Sequence, residues 1–233
     1  MQSRSQESTA GGEAGLKIVI VGGNAGARIA SEIFALSHPK HTVCLLDCFA
    51  PAESWKADQP DVLAGAKEDA NNIDFLKQKN VSYFVATGDN RMRRDITAFL
   101  MKQTGKSPVN CIHPSAIFSS SAALGYGNLI CPTAVLHTQT VIGNGTIINT
   151  GAVIEHDCII RDYAQISPNV TLAGYVDIEA FAFVSSAAVV IPHLKIGKGS
   201  LVAAGAVVTA AVKPFTMVAG CPAIEKKILE PYV

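Results

Sequence analysis

From Ile112 to Val208 every sixth residue is a large apolar one: Ile112, Phe118, Leu124, Ile130, Leu136, Ile142, Ile148, Ile154, Ile160, Ile166, Leu172, Ile178, Val184, Val190, Ile196, Val202 and Val208, seventeen positions without an insertion. An amphipathic helix repeats every ~3.6 residues and a half-buried strand every ~2, so neither accommodates this spacing. A period of six is that of a parallel β-helix built from hexapeptides. Each hexad supplies a short strand and a corner, with its first residue pointing into the coil. The fifth residue is mostly small or β-branched (Ala134, Thr140, Thr146, Ala152, Cys158, Ala164, Val170, Val176, Ala182, Ala188), as a narrow interior requires. Three hexads make one coil, so residues 18 apart stack on neighbouring rungs, about 4.8 Å away.

The first half of the chain has a different rhythm. The apolar run 16–21 is closed by Gly22-Gly23-Asn24-Ala25-Gly26-Ala27, after which Ile29, Ala30, Ile33 and Phe34 recur at helical spacing. This reads as strand, glycine turn and helix. A second strand spans 42–46 and ends at Asp47. A third spans 82–86 and ends at Thr87-Gly88-Asp89-Asn90, where Asp89 or Asn90 can cap a helix through Ile96, Phe99 and Leu100. Strands alternating with helices predict a small parallel sheet. The expected organisation is a disordered tail at 1–15, a Rossmann-like α/β domain at 16–108 and an all-β parallel β-helix at 109–233.

A glycine turn before a helix N-terminus gives backbone access to phosphate, and an acidic residue closing the second strand can meet a ribose hydroxyl. Asn24 stands where the dinucleotide fingerprint needs glycine, and a residue such as Asp47 also serves simply to cap a loop. Composition narrows the function classes. The 19 Lys and Arg balance the 19 Asp and Glu, which leaves no basic field for nucleic acid. The tail 1–15 lacks the apolar core of a signal peptide, and the apolar run 201–212 is too short to span a bilayer. The six cysteines form no CxxC pair and sit in apolar stretches, as in a reducing cytosol. Cysteines and histidines show no metal-ligand spacing, so no metal is expected.

The 18-residue rung repeat places Thr138, His156 and Gly174 in one corner column, each third in its hexad. Asp157 follows His156 and can orient the imidazole as a base, while the N–H of Gly174 one rung on can donate to a developing oxyanion. A solvated corner can also carry a histidine with no chemical role.

The run 149–158 (NTGAVIEHDC), followed by Ala173-Gly174, Ile191-Pro192 and Gly220-Cys221-Pro222-Ala223, resembles the sugar O-acyltransferase family. That family includes sialic acid O-acetyltransferases and nucleotide-linked amino-sugar N-acetyltransferases. The segment 86–91 (ATGDNR) and the turn at Gly22 look like it too, so the resemblance runs from 16 to 228. It implies left-handed coiling, a cytoplasmic homotrimer, acetyl-CoA held between neighbouring subunits, and a sugar nucleotide held by the N-terminal domain. Carried across by matching motif, His156 is the general base, Asp157 its orienting carboxylate and Gly174 the donor to the thioester carbonyl. Ser186 and Ala204 line the acetyl-CoA groove. Asn149 would lie beside the sugar, and the residues expected to contact the substrate are Gly22, Asn24, Gly26, Asp47, Gly88, Asn149 and Gln165. Many relatives carry glycine and histidine where this chain has Ala25-Gly26, and a second histidine where it has Gln165.

The expected activity is acetyl transfer from acetyl-CoA to the amino group of a nucleotide-linked deoxyamino sugar. The alternative is O-acetylation of a sialic-acid-like or other free sugar. A hexapeptide-repeat metalloenzyme of the carbonic anhydrase kind needs converging histidines, and this chain lacks a His-x4-His pair. A pure scaffold leaves the His156-Asp157 pair idle, and a Rossmann oxidoreductase leaves the whole C-terminal half unexplained.

Overall fold

A computed structural model describes residues 16–23, 25–46, 62–63 and 69–231; the tail 1–15, Asn24 and Asp47 lie outside these. The N-terminal part is β1 (Lys17–Val21), α1 (Ala25–Ser37), β2 (Thr42–Leu46), β3 (Val62–Leu63), α2 (Ala70–Lys77), β4 (Val81–Val85) and α3 (Asn90–Thr104). The strands form a parallel sheet in the order β3-β2-β1-β4, with Val19 facing Cys44 on one side and Tyr83 on the other. The third strand begins and ends one residue before the sequence-based bounds, because Val81 already pairs with Lys17. Asp89 caps α3 as expected, its carboxylate accepting the Met92 N–H at 2.8 Å. Helices α2 and α3 cover one face of the sheet, where Ile73, Leu76, Ile96 and Leu100 pack with Val19, Val21, Tyr83 and Val85. On the other face α1 packs against the rest of the chain.

Lys106 ties the far end of this unit. Its ammonium donates to the carbonyls of Leu76, Gln78 and Val81, gathering the end of α2 and the start of β4. Lys106→Met leaves three carbonyls competing for water and is expected to lower the unfolding free energy by about 2 kcal/mol. Urea titration checks this; an unchanged midpoint would show that water replaces the ammonium fully.

After Val109, whose N–H donates to Tyr83 O, the chain enters a parallel solenoid at Cys111. Its two-residue strands form three faces, each pairing with the strand 18 residues on: Ile148 with Ile166, Ile154 with Leu172 and Ile160 with Ile178. The first face carries 129–130, 147–148, 165–166, 183–184 and 201–202. The second carries 135–136, 153–154, 171–172 and 189–190, and the third 141–142, 159–160 and 177–178. The six-residue apolar series fills the interior, buried from Ile130 to Val208; Ile112, Phe118 and Leu124 in the opening coil are only half buried because no rung lies beneath them. Alanine and other small fifth-position residues complete the core.

From Gly127 to Gly205 each corner turns through a residue of positive φ at the fourth place of the hexad. Glycine fills it at 127, 145, 151, 199 and 205, but elsewhere it is Asp157 (59°), Tyr175 (63°), His193 (63°) and others with side chains. Such corners need the left-handed region that a tight turn demands, and they present those side chains outward in columns. The coil ends in an antiparallel pair, 216–219 with 224–228. No helix among the described residues is long and apolar enough to cross a membrane.

Candidate active site

The two halves meet along the outer side of the first face. Ala27, Ala30, Ile33 and Phe34 of α1 pack on Cys111, Leu129, Cys131 and Ile147. At the other edge of the contact α3 is fastened by polar groups to the corner between the third and first faces. Arg93 donates to Gly145 O (2.6 Å) and Tyr163 O (3.3 Å), and Asn90 Nδ2 to Phe181 O (3.4 Å). Between the apolar contact and the polar one lies a cleft of about 310 Å³. Its walls include Gly26 at the start of α1, Thr87 and Gly88 after β4, and Asn149 and Gln165 of the solenoid.

Four substrate-binding residues expected from sequence therefore share this cleft. Gln165 brings a buried side-chain oxygen that has no hydrogen-bond partner among the described residues. Gly22 lies behind the cleft: a Cβ there would strike the carbonyl of Ala86, so the β1 and β4 loops approach closely only because it is glycine. A Cβ on Gly88 would meet nothing within 4 Å, so space alone does not require glycine there.

A second constellation sits on the corner between the second and third faces. His156 Nδ1 lies 2.8 Å from Asp157 Oδ2, with both side chains partly exposed. An ionised carboxylate only accepts, so this contact puts the proton on Nδ1 and leaves Nε2 as the free base. One rung on, a Cβ built on Gly174 would lie 2.6 Å from the imidazole Cε1 and 2.7 Å from Nε2. The imidazole thus rests on bare backbone, and glycine is required beneath it. The Gly174 N–H has no acceptor among the described residues. The Tyr175 ring meets the imidazole edge-on at 5.3 Å, and His193 stacks on Tyr175 at 4.7 Å, so an aromatic column backs the pair. Cys158, next in sequence, does not make a Cys-His pair. It is buried, its thiol donates to Ala173 O, and burial pushes its pKa up to about 11, so it stays neutral. Among the described residues no group of three His, Cys, Asp or Glu is placed to hold a metal.

The two constellations occupy different corners of one protomer, separated by the second face. Ser186 and Ala204 stack on each other in the corner between the first and second faces, linked by Gly205 N–H to Ser186 O at 2.9 Å. They do not join Gly174 within the protomer. Two residues of the site region escaped sequence reading. Tyr175 gave no signal, whereas Arg93 did: it shares a helical face with the apolar Ile96 and Leu100 despite lying in the basic-looking run 91–94.

The solenoid of hexads places the chain among hexapeptide-repeat transferases, as comparison with known proteins shows. The sequence profile of the bacterial transferase hexapeptide (six repeats) matches residues 139–174. No curated protein sequence matches the chain. Among solved structures, a histidine-to-alanine variant of GDP-perosamine N-acetyltransferase from Caulobacter crescentus, in complex with CoA and GDP-perosamine, is 32% identical over 91% of this chain and 97% of that one, with a TM-score of 0.81. The acetyltransferase domain of PglB from Neisseria gonorrhoeae, in complex with acetyl coenzyme A, is 26% identical over 91% of this chain and 100% of that one, with a TM-score of 0.80. WeeI from Acinetobacter baumannii shares the fold at 24% identity over 90% of this chain and 100% of that one, with a TM-score of 0.78. The chain belongs to the hexapeptide-repeat sugar acetyltransferase family represented by the first two.

Proposed function

We propose that the protein transfers the acetyl group of acetyl-CoA to the amino group of a nucleotide-linked deoxyamino sugar, in the cytoplasm and as a homotrimer. The observation that carries the reading is the 32% identity, over 91% of this chain and 97% of the other, to a GDP-perosamine N-acetyltransferase variant in complex with CoA and GDP-perosamine. The geometry supports the division of labour. The N-terminal unit and the first face hold the sugar nucleotide in the cleft, where Gln165 offers an unpaired acceptor and Asn149 stands at its edge. Gln165 can hydrogen-bond the sugar but cannot carry a proton away, so base catalysis falls to His156.

In that reading the amine nitrogen attacks the thioester carbonyl carbon as His156 Nε2 takes its proton, and Asp157 steadies the imidazolium. The Gly174 N–H donates to the developing oxyanion. Collapse of the tetrahedral intermediate breaks the C–S bond, and the CoA thiolate leaves with the proton from His156. Ser186 and Ala204, on another corner, line the coenzyme groove from a neighbouring subunit.

The test is thiol release from acetyl-CoA against a panel of UDP-, GDP- and dTDP-linked amino sugars, with free sugar acids as the comparison. Turnover on an amino-sugar nucleotide is the expected result; turnover on free sugar acids alone overturns the reading in favour of O-acetylation. Gly26→Trp is expected to raise KM for the sugar nucleotide about tenfold or more while leaving KM for acetyl-CoA unchanged, because it removes binding to a remote part of one substrate. Equal changes in both KM values would remove the cleft from this role.

A further inference from the structure

Arg93 is 1% exposed, yet it belongs to the wall of the cleft. Its guanidinium donates to Gly145 O, Thr87 O, Tyr163 O and Asn90 Oδ1. All four are neutral oxygens. Among the described residues no carboxylate forms an ion pair with it, and Asp89, one turn earlier, is exposed and occupied in capping α3. Among the described residues that line the cleft it is also the sole cation, and none is an Asp or Glu. A guanidinium has five N–H donors; four acceptors leave one unspent, on Nη1, which otherwise holds the Thr87 carbonyl. Burying a charge is unfavourable unless a counter-charge or full hydrogen bonding compensates, and a positive charge fixed in the wall of an open, otherwise uncharged cleft favours an anion there.

Resting on the nucleotide-sugar reading above, we propose that Arg93 is a binding and positioning residue for the diphosphate. It supplies the charge against which the phosphates settle, and by holding Thr87 O and the solenoid carbonyls at once it fixes where that charge lies relative to Gln165 and Asn149. The sugar end is then set at a constant distance from the phosphates, because the same side chain grips both walls. Lysine cannot reproduce this, since its point charge lacks the planar fork that reaches all four oxygens.

The experiment is calorimetry on the full-length protein with UDP, GDP and dTDP and with the corresponding nucleosides, for wild type, Arg93→Lys and Arg93→Gln. The wild type is expected to bind its preferred nucleoside diphosphate about 10- to 100-fold more tightly than the nucleoside, a preference that shrinks with added salt. Arg93→Gln should lose most of that ratio and Arg93→Lys should keep part of it, while CoA affinity, which reports an intact fold, stays at the wild-type value. An Arg93→Gln protein that binds CoA normally and keeps the full diphosphate preference overturns the proposal. If neither variant folds, the wild-type ratio decides: a value near one overturns it, and a large, salt-sensitive ratio supports it. A wild type that binds CoA but none of the nucleotides refutes instead the nucleotide-sugar reading on which the proposal rests.

Discussion

His156→Ala is expected to lower kcat by roughly 10²- to 10⁴-fold, the usual contribution of a positioned general base, with KM for acetyl-CoA little changed. The argument is geometric. The imidazole is held by Asp157 at Nδ1, by the Tyr175 ring at its edge and by the bare backbone of Gly174 against its face. These contacts leave Nε2 free beside an N–H that has no acceptor among the described residues. Alanine removes the base but leaves the corner intact, because the turn is built by main-chain bonds such as Tyr175 N–H to His156 O at 3.1 Å. Asp157→Asn should cost less, since Tyr175 and Gly174 still confine the ring. Steady-state kinetics on the true substrate, with circular dichroism to show an unchanged fold, provide the check. Near-normal turnover by His156→Ala would falsify the base assignment.

The solenoid was legible because a six-residue period has few physical solutions and because rung stacking makes residues 18 apart neighbours. That arithmetic brought His156 and Gly174 together before any coordinates. The same arithmetic separates Ser186 and Ala204 from them, since residues 12 apart fall on different corners; grouping all of them in one coenzyme site came from resemblance and requires a second subunit. Corner conformation was harder to read. Left-handed φ usually signals glycine, but here Asp157 and Tyr175 adopt it within a turn that repeats along the solenoid. Arg93 was hidden by its neighbours: a run of basic residues reads as a solvated face, and only its phase relative to Ile96 and Leu100 marks it as buried. The cleft itself needed the docking of two halves, which no periodicity within either half records.

Mixing two variants impaired in different halves of the site is expected to restore activity. His156 lies on the corner between the second and third faces and the cleft lies over the first face, so under the proposed function one protomer would not bring base and sugar together. The outward row of the second face is Ile117, Val135, Val153, Thr171, Val189 and Val207, and Ile117 and Val189 are exposed at 60% and 37%. An aliphatic sheet face of this kind needs a cover, and the proposed threefold packing would supply one while setting the His156 corner of one copy against its neighbour. His156→Ala carries an intact cleft and Gly26→Trp an intact corner. Co-expressed with different tags and purified through both, the mixed trimers should contain sites that take the good half from each. Every trimer that carries both tags contains one restored site among its three, so activity rises to about one third of wild type, above either variant alone under sugar-limited conditions. Sedimentation equilibrium of the same sample should show a single trimeric species. Mixed trimers no more active than the sum of the two variants would place base and cleft within one protomer, and a monomer at micromolar concentration would remove the shared site altogether.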